Sequence, residues 1–225
     1  MVATAEVTAA AETGRSDLVA LRLAADFVGP VPVADVQVTA RVVRAARTAV
    51  LVETSLVAQD RECLRGRVWL VRMEDTSAIA PTLSAQSGPA DDLPGLDLGF
   101  PYSDSIEWRV VSGGLRIPGP GVSWARPTMP VVADLPITGL QRAALIGDSA
   151  SGLSAELDWT AWSFLNVDLD VHLARPAIGD WLLMDAATQV GPAGSGLARS
   201  VLSDIHGPVG STLQTLVLEP MRGNS

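Results

Sequence analysis

Few side chains in this sequence could act as nucleophiles, bases or metal ligands at neutral pH. The chain has one cysteine, Cys63, and two histidines, His172 and His206. One cysteine cannot form an internal disulfide, and two histidines without a paired-cysteine motif offer little from which to build a zinc site. The sequence therefore predicts a reducing compartment and chemistry that uses neither a metal nor a cofactor.

The tripeptide Gly-Asp-Ser at 147–149 is similar to a block found in one class of serine esterases. That block requires a downstream Asp-x-x-His, whereas Asp170 with His172 and Asp204 with His206 are each one residue short. The chain also lacks the Gly-x-Ser-x-Gly nucleophile elbow of another hydrolase class. Serine hydrolase chemistry is therefore not expected.

Asp148 is the acidic residue with the most informative position. Thr138 and Gln141 have the spacing of a capping box, which predicts that a helix begins there, and Gly152 suits its terminal turn. Asp148 then falls in the last turn, where the helix dipole disfavours a carboxylate by a few tenths to about 1 kcal/mol. Solvent exposure or a local turn hydrogen bond would explain this placement, and a catalytic base is the alternative.

Strands must position this helix, and they form two groups. The first group follows a short helix at 2–12 and covers 18–28, 34–43, 48–58 and 65–73. The second covers 106–114 and, after the helix, 164–173, 180–190, 195–204 and 209–219. Their β-branched content and partial alternation favour sheets with one covered face. The turn residues at 204–208 predict a hairpin between the last two strands.

The strands of the two groups occur at matching positions, separated by a constant spacing. Asp35 and Asp180 begin matching strands, and Glu74 and Glu219 end matching strands, at a spacing of 145 residues (180 − 35 and 219 − 74). We therefore predict an α+β architecture of two similar halves, 1–75 and 106–225. The segment 76–105, which is rich in Pro, Gly, Ser and Asp, is predicted to be the linker.

Composition excludes several classes of function. A chain of 225 residues with 48% hydrophobic residues can form two compact cores. A net charge of −9 disfavours nucleic acid as a partner, because phosphates need a basic surface. The N-terminus has no basic region followed by an apolar one, and no run of about 18 apolar residues occurs. These features predict a cytoplasmic protein without a membrane segment.

Residues 120–220 resemble a known family. The segments at 141–152 (QRAALIGDSASG), 164–176 (FLNVDLDVHLARP), 179–200 (GDWLLMDAATQVGPAGSGLARS) and 211–220 (STLQTLVLEP) resemble the second half of enzymes of the acyl-CoA thioesterase II type. The resemblance implies a double hot-dog fold, with two antiparallel sheets each wrapped around a central helix. It also implies hydrolysis of a fatty or other acyl-CoA at the thioester.

The resemblance also implies three catalytic residues. In that family a helix Asp, a Thr or similar polar strand residue, and a Gln on the last strand converge on the attacking water. The pattern falls on Asp148, Asn166 and Gln214, with Asn166 where the type enzyme has Thr. Asp148 would be the base, and the two amides would position the water.

The first half is predicted to be a structural or substrate-shaping copy. At the spacing of 145 its counterparts of the three residues are Ala3, Leu21 and Trp69, none of which can transfer protons. Trp69 is a candidate for lining the acyl pocket. The family begins with a strand and a helix start that precede the position of Met1. Either the true start codon lies upstream or this chain lacks the edge of its first sheet; the second alternative would leave an exposed strand, which a homodimer is expected to cover.

The sequence identifies candidate residues for binding CoA and the acyl group less sharply than the three catalytic residues. Arg126, Arg142 and Arg175 are candidates for contact with the phosphates of CoA. Five tryptophans would either form an acyl tunnel or fill cores: Trp108, Trp124, Trp159, Trp162 and Trp181. Neither histidine has the context that a hot-dog dehydratase requires. The alternative function is a non-catalytic hot-dog protein that binds an acyl group or a protein partner.

Overall fold

The described part of the chain contains four helices and eleven strands. The computed structural model describes residues 1–96, 101–114 and 117–221. The first half contains α1 (Val2–Thr13), β1 (Leu18–Phe27), β2 (Val36–Ala45), β3 (Ala49–Ala58) and β4 (Arg61–Arg72). The second contains α2 (Pro101–Asp104), β5 (Ile106–Ser112), β6 (Gly121–Pro127), α3 (Gly139–Gly147), α4 (Ala150–Leu153), β7 (Trp162–Asn166), β8 (Asp168–Leu173), β9 (Leu182–Val190), β10 (Ser195–Asp204) and β11 (Gly207–Pro220).

The strands of both halves join in one antiparallel sheet. Their order is β2-β3-β4-β1-β8-β11-β10-β9-β6-β5, and β7 also pairs with β11. The halves meet where β1 pairs with β8, from Arg22 opposite His172 to Asp26 opposite Asp168. The expectation of two separate sheets therefore differs from the structure. The pairing of β1 with β8 satisfies backbone groups that would otherwise lie along two free sheet edges.

Strand pairing shows an internal repeat at a spacing of 146 residues. The hairpin of β3 and β4 shifts register by one residue between Leu56 and Val57. The hairpin of β10 and β11 has the same shift between Leu202 and Ser203, which lie 146 residues later (202 − 56). Both halves thus have a bulge at the equivalent place, and a shared bulge fixes the register between them.

This register corrects the counterparts predicted from a spacing of 145. Gln214 lies opposite Ala198 on β10, and 146 residues earlier Val68 lies opposite Val52. Val68 is buried on the inner face, whereas Trp69 lies on the other face of β4, because a shift of one residue reverses the face of a strand. Val68, like Trp69, cannot act as an acid or base.

The helices pack on one face of the sheet. Helix α1 contacts β1 to β4, whereas α3 contacts β1, β6, β8, β9 and β10. Buried apolar residues between these layers form the main core, among them Val50, Val52, Leu140, Ile146 and Met184. Full burial of such side chains contributes ~1.5–3 kcal/mol each to folding.

Both ends of α3 differ in detail from the predicted capping box and single helix. The Thr138 side chain accepts from the Gln141 backbone N–H at 3.4 Å, as predicted. The Gln141 side chain instead donates to Glu6 on α1 at 2.6 Å, so it links the two helices. Helix α3 ends at Gly147 and α4 follows, where one helix to Gly152 was expected.

Two strand predictions also differ from the structure. Strand β6 lies in the proline-rich passage before α3, for which no strand was predicted. The predicted strand 164–173 is divided into β7 and β8 at Val167. The predicted linker contains irregular chain and α2 in its described part, and the division at 76–105 stays a prediction. Among the described residues, no helix is long and apolar enough to cross a membrane.

Candidate active site

Asp148 lies at the junction of two helices. It is the C-cap of α3, and its backbone N–H donates to Ala144 O at 3.1 Å. Helix α4 begins two residues later, so the chain turns at Asp148 and presents its side chain beside the sheet. Gly147 permits this close approach, because a Cβ at that position would lie 2.6 Å from Thr212 Cγ2 on β11. The absence of a side chain at 147 therefore sets the distance of Asp148 from the sheet.

Asn166 reaches Asp148 from the end of β7. Its Nδ2 donates to Asp148 Oδ1 at 2.9 Å. On the backbone Asn166 lies opposite Leu216, and the next residue, Val167, interrupts the strand. The interruption ends β7 at the residue whose side chain contacts the carboxylate.

Gln214 reaches the same carboxylate from the inner face of β11. It is completely buried on a strand between β8 and β10, and not on an outward edge. Its Nε2 donates to Asp148 O at 3.1 Å and to Asp148 Oδ1 at 3.3 Å. Its Oε1 accepts from the Ser151 backbone N–H at 3.3 Å. Gln214 thus holds both the carboxylate and the turn between the two helices.

The structure therefore brings the three predicted residues together. Both amides donate to the same oxygen, Asp148 Oδ1, while Oδ2 has no hydrogen-bond partner among the described residues. The carboxylate retains one oxygen that can accept a proton.

The surroundings of Asp148 weaken its acidity. Removal of water by the protein around the carboxylate raises the pKa of Asp148, and the hydrogen bond from Asn166 opposes this effect. Asp148 is nonetheless an exposed residue, and its contact with water moderates this rise in its pKa. A carboxyl whose pKa is shifted toward neutrality is a better general base than an ordinary surface aspartate.

A cavity of about 160 Å³ adjoins Asp148. Its apolar wall consists of Leu96, Trp108, Leu153, Trp159 and Phe164. Trp159 and Phe164 pack edge to face with ring centroids 4.8 Å apart. Of the five tryptophans considered from the sequence, Trp108 and Trp159 line this cavity, and the other three do not.

Tyr102 is a site residue that the sequence did not reveal. It lines the cavity from α2, within the segment predicted to be a linker. Its hydroxyl donates to Leu145 O at 2.6 Å and lies 2.9 Å from Ser149 Oγ. Burial raises the pKa of Tyr102, and the hydrogen bond with Ser149 opposes this effect. A neutral tyrosine therefore braces the end of α3.

The residues predicted to bind CoA lie elsewhere. Arg175 donates to both carboxylate oxygens of Asp204 at 2.7 Å. Arg126 donates to Glu107 at 2.7 Å and lies over the ring of Trp181. Arg142 lines a separate cavity of about 300 Å³. Neither these three arginines nor Trp69 lines the cavity beside Asp148. Their proposed contact with CoA stays a prediction.

The described part of the chain contains no group of three or more His, Cys, Asp or Glu side chains placed to hold a metal ion.

Both halves of the chain match family models of known proteins. Residues 1–71 match the model of the acyl-CoA thioesterase N-terminal domain, and residues 75–218 match that of the acyl-CoA thioesterase C-terminal domain. No curated protein matches the sequence.

Several solved structures share the fold. The acyl-CoA thioesterase II TesB2 from Mycobacterium marinum superposes with a TM-score of 0.72 at 17% identity, over 99% of this chain and 89% of that one. A hot-dog protein from Alicyclobacillus acidocaldarius has a TM-score of 0.72 at 14% identity, over 96% and 85%. The TesB protein of Mycobacterium avium subspecies paratuberculosis has a TM-score of 0.68 at 14% identity, over 97% and 86%. At these identities the likeness shows the hot-dog fold.

Proposed function

Since this chain belongs to the acyl-CoA thioesterase family and is therefore a thioester hydrolase, we propose that it hydrolyses acyl-CoA with a water molecule activated by Asp148. The observation that carries the proposal is the geometry of the carboxylate. Asn166 and Gln214 hold Oδ1, and Oδ2 is left without a partner among the described residues beside an apolar cavity. The family resemblance noted in the sequence is confirmed, and the catalytic roles are our proposal.

In the proposed reaction Asp148 Oδ2 takes a proton from water as the water oxygen attacks the thioester carbon. The carbonyl oxygen becomes an oxyanion, and the tetrahedral intermediate then expels the CoA thiolate. The thiolate takes the proton, which leaves the carboxylic acid and CoA thiol as products. No covalent enzyme intermediate is needed.

The two amides have different parts in this scheme. Gln214 donates to both the backbone carbonyl and the carboxylate of Asp148, so it fixes the base. Asn166 uses one Nδ2 hydrogen for Asp148, and its side chain has no other hydrogen-bond partner among the described residues. Its second amide hydrogen is available to the water or to the oxyanion, the part that we assign to it in place of the family's Thr.

The apolar cavity supplies the acyl site in this proposal. Its wall is made of leucine and aromatic side chains, which remove an acyl group from water, and its rim carries Asp148. A protein that only binds an acyl group would need the cavity but not a carboxylate held by two amides. This difference favours hydrolysis over the non-catalytic alternative.

The test is release of CoA thiol from a panel of short, medium and long acyl-CoAs. We expect Asp148→Asn to lower kcat about 10²- to 10⁴-fold, because it removes the general base. Asp185→Asn is the matched control, since Asp185 is exposed on β9 and does not line the cavity. Undiminished hydrolysis by Asp148→Asn would contradict the mechanism, and a folded wild type inactive on the whole panel would favour the binding alternative.

A further inference from the structure

The indole N–H of Trp108 is buried without an acceptor. Trp108 lies on the inner face of β5, is 3% exposed and lines the cavity beside Asp148. No hydrogen-bond partner for its Nε1 exists in the described structure. Buried polar groups nearly always have partners, and an indole N–H can only donate. This donor is therefore available to an acceptor that enters the cavity.

Either a water molecule or a ligand oxygen can supply that acceptor. A buried water needs two to four polar partners. The cavity offers a water such partners in Tyr102, Asp148, Ser149 and Ser151, and a ligand that fills the cavity displaces the water. An oxygen that is covalently part of an otherwise apolar ligand meets the N–H without the further polar partners that a water needs.

The size of the cavity limits the ligand. A volume of about 160 Å³ is close to that of apolar protein cavities that hold one benzene, so it takes roughly six non-hydrogen atoms. Leu153, at 1% exposure, and Trp108 form its deep part, while Trp159, at 44% exposure, lies at its rim. An acyl group whose thioester lies at Asp148 would direct its far end toward Trp108.

We infer that the cavity selects short acyl groups that carry a hydroxyl or carbonyl oxygen near their far end, with that oxygen accepting from Trp108 Nε1. The inference rests on the proposed hydrolysis at Asp148 and adds the class of acyl group. A long unsubstituted chain would overfill the cavity and leave the N–H unpaired, whereas a short chain without oxygen would only leave it unpaired.

The experiment compares kcat/KM for pentanoyl-CoA, 4-oxopentanoyl-CoA and dodecanoyl-CoA. The first two have the same carbon chain and differ in one oxo group. In the wild type we expect 4-oxopentanoyl-CoA to exceed pentanoyl-CoA about tenfold or more, because only its oxygen pairs the buried donor. Dodecanoyl-CoA should be the poorest of the three.

Trp108→Phe removes the N–H and keeps an aromatic ring. It should bring the ratio of 4-oxopentanoyl-CoA to pentanoyl-CoA close to one, mainly by lowering the value for the oxo substrate. Trp124→Phe is the matched control, because Trp124 is a buried tryptophan on the neighbouring strand β6 that does not line the cavity. It should preserve the ratio.

A wild-type ratio near one, a ratio that survives Trp108→Phe, or a preference for dodecanoyl-CoA would overturn the inference. Each of these results still requires hydrolysis, so none of them contradicts the role of Asp148. Failure of the proposed function looks different, since it appears as no hydrolysis of any substrate or as full activity in Asp148→Asn.

Discussion

Asn166 donates a hydrogen bond of 2.9 Å to Asp148 Oδ1, which links the end of β7 to the junction of α3 and α4. The bond favours the ionised carboxylate, whereas the surrounding protein favours the neutral acid. The protonation of the proposed base is thus set by two opposing effects, and one of them can be removed by a single substitution.

Asn166→Leu should move the acidic limb of the activity profile to higher pH. Loss of the hydrogen bond leaves desolvation unopposed by Asn166, so the pKa of Asp148 rises further and the active carboxylate forms only at higher pH. The measurement is kcat/KM as a function of pH, which reports groups of the free enzyme. Ser163→Ala, on the same strand, should leave the limb in place. An unshifted limb in Asn166→Leu would argue against Asp148 as the titrating base.

Asp148→Asn should stabilise the fold at neutral pH. The pKa of Asp148 is raised in the folded state. The contribution of Asp148 to the free energy of unfolding is therefore fully present below the ordinary aspartate pKa, and it is lost as the pH rises through the pKa of the folded protein. Asparagine carries no charge, so it avoids that loss. We expect a higher Tm than wild type at pH 7 and little difference near pH 3. An equal or lower Tm at pH 7 would mean that desolvation is not the dominant effect.

Gly147→Ala should destabilise the protein by about 1–3 kcal/mol through overpacking. The new Cβ would lie 2.6 Å from Thr212 Cγ2, so either α3 or β11 must move. Thr212→Ser removes that methyl group while keeping the hydroxyl near Ser200. In urea unfolding the double variant should recover much of the stability lost by Gly147→Ala. Additive losses in the double variant would show that the Thr212 methyl group is not the obstacle.

Arg175→Ala should cost about 3 kcal/mol of unfolding free energy, because it leaves a buried carboxylate without its cation. Asp204 is completely buried and also accepts from the backbone N–H groups of Ile178 and His206. Arg67→Ala serves as the control, since its 3.1 Å ion pair with Glu53 is exposed and should contribute less than about 1 kcal/mol. Similar losses in both variants would contradict the special role of the buried pair.

The sequence predicted most elements of the fold because their signals are local. The capping box at Thr138 gave the start of α3, and alternating apolar residues gave most strands. Strand β6 was missed because it ends at Pro127 and lies within a proline-rich passage, which favours loops over strands. The pairing of β1 with β8 joins distant segments, so no local pattern encodes it.

An error of one residue in the spacing of the repeat changes which residue is the counterpart of Gln214. Charged residues at strand ends suggested a spacing of 145, whereas backbone pairing gives 146. The position at which a strand ends can shift by one residue with little effect on stability. The register of hydrogen-bonded residue pairs cannot shift in this way. The difference exchanges Trp69 for the buried Val68 as the counterpart of Gln214, because neighbouring strand residues face opposite sides.

The candidate site was predictable only in part. Asp148, Asn166 and Gln214 come from separate elements, and it was the family pattern, not their spacing, that grouped them. Trp108 and Trp159 could not be separated from the other tryptophans, because burial and cavity lining depend on packing. Tyr102 was overlooked since its surroundings in sequence are rich in Pro, Gly and Asp.

The junction of β1 and β8 also bears on how substrate enters. Backbone hydrogen bonds join β1 directly to β8, so the two halves cannot move apart in a hinge motion without breaking the sheet. Access to the cavity then depends on the side chains at its mouth. Trp159 is half exposed there and packs against Phe164, so rotation of its indole ring would change the width of the entrance. Such a rotation is a side-chain motion and is faster than the movement of a domain.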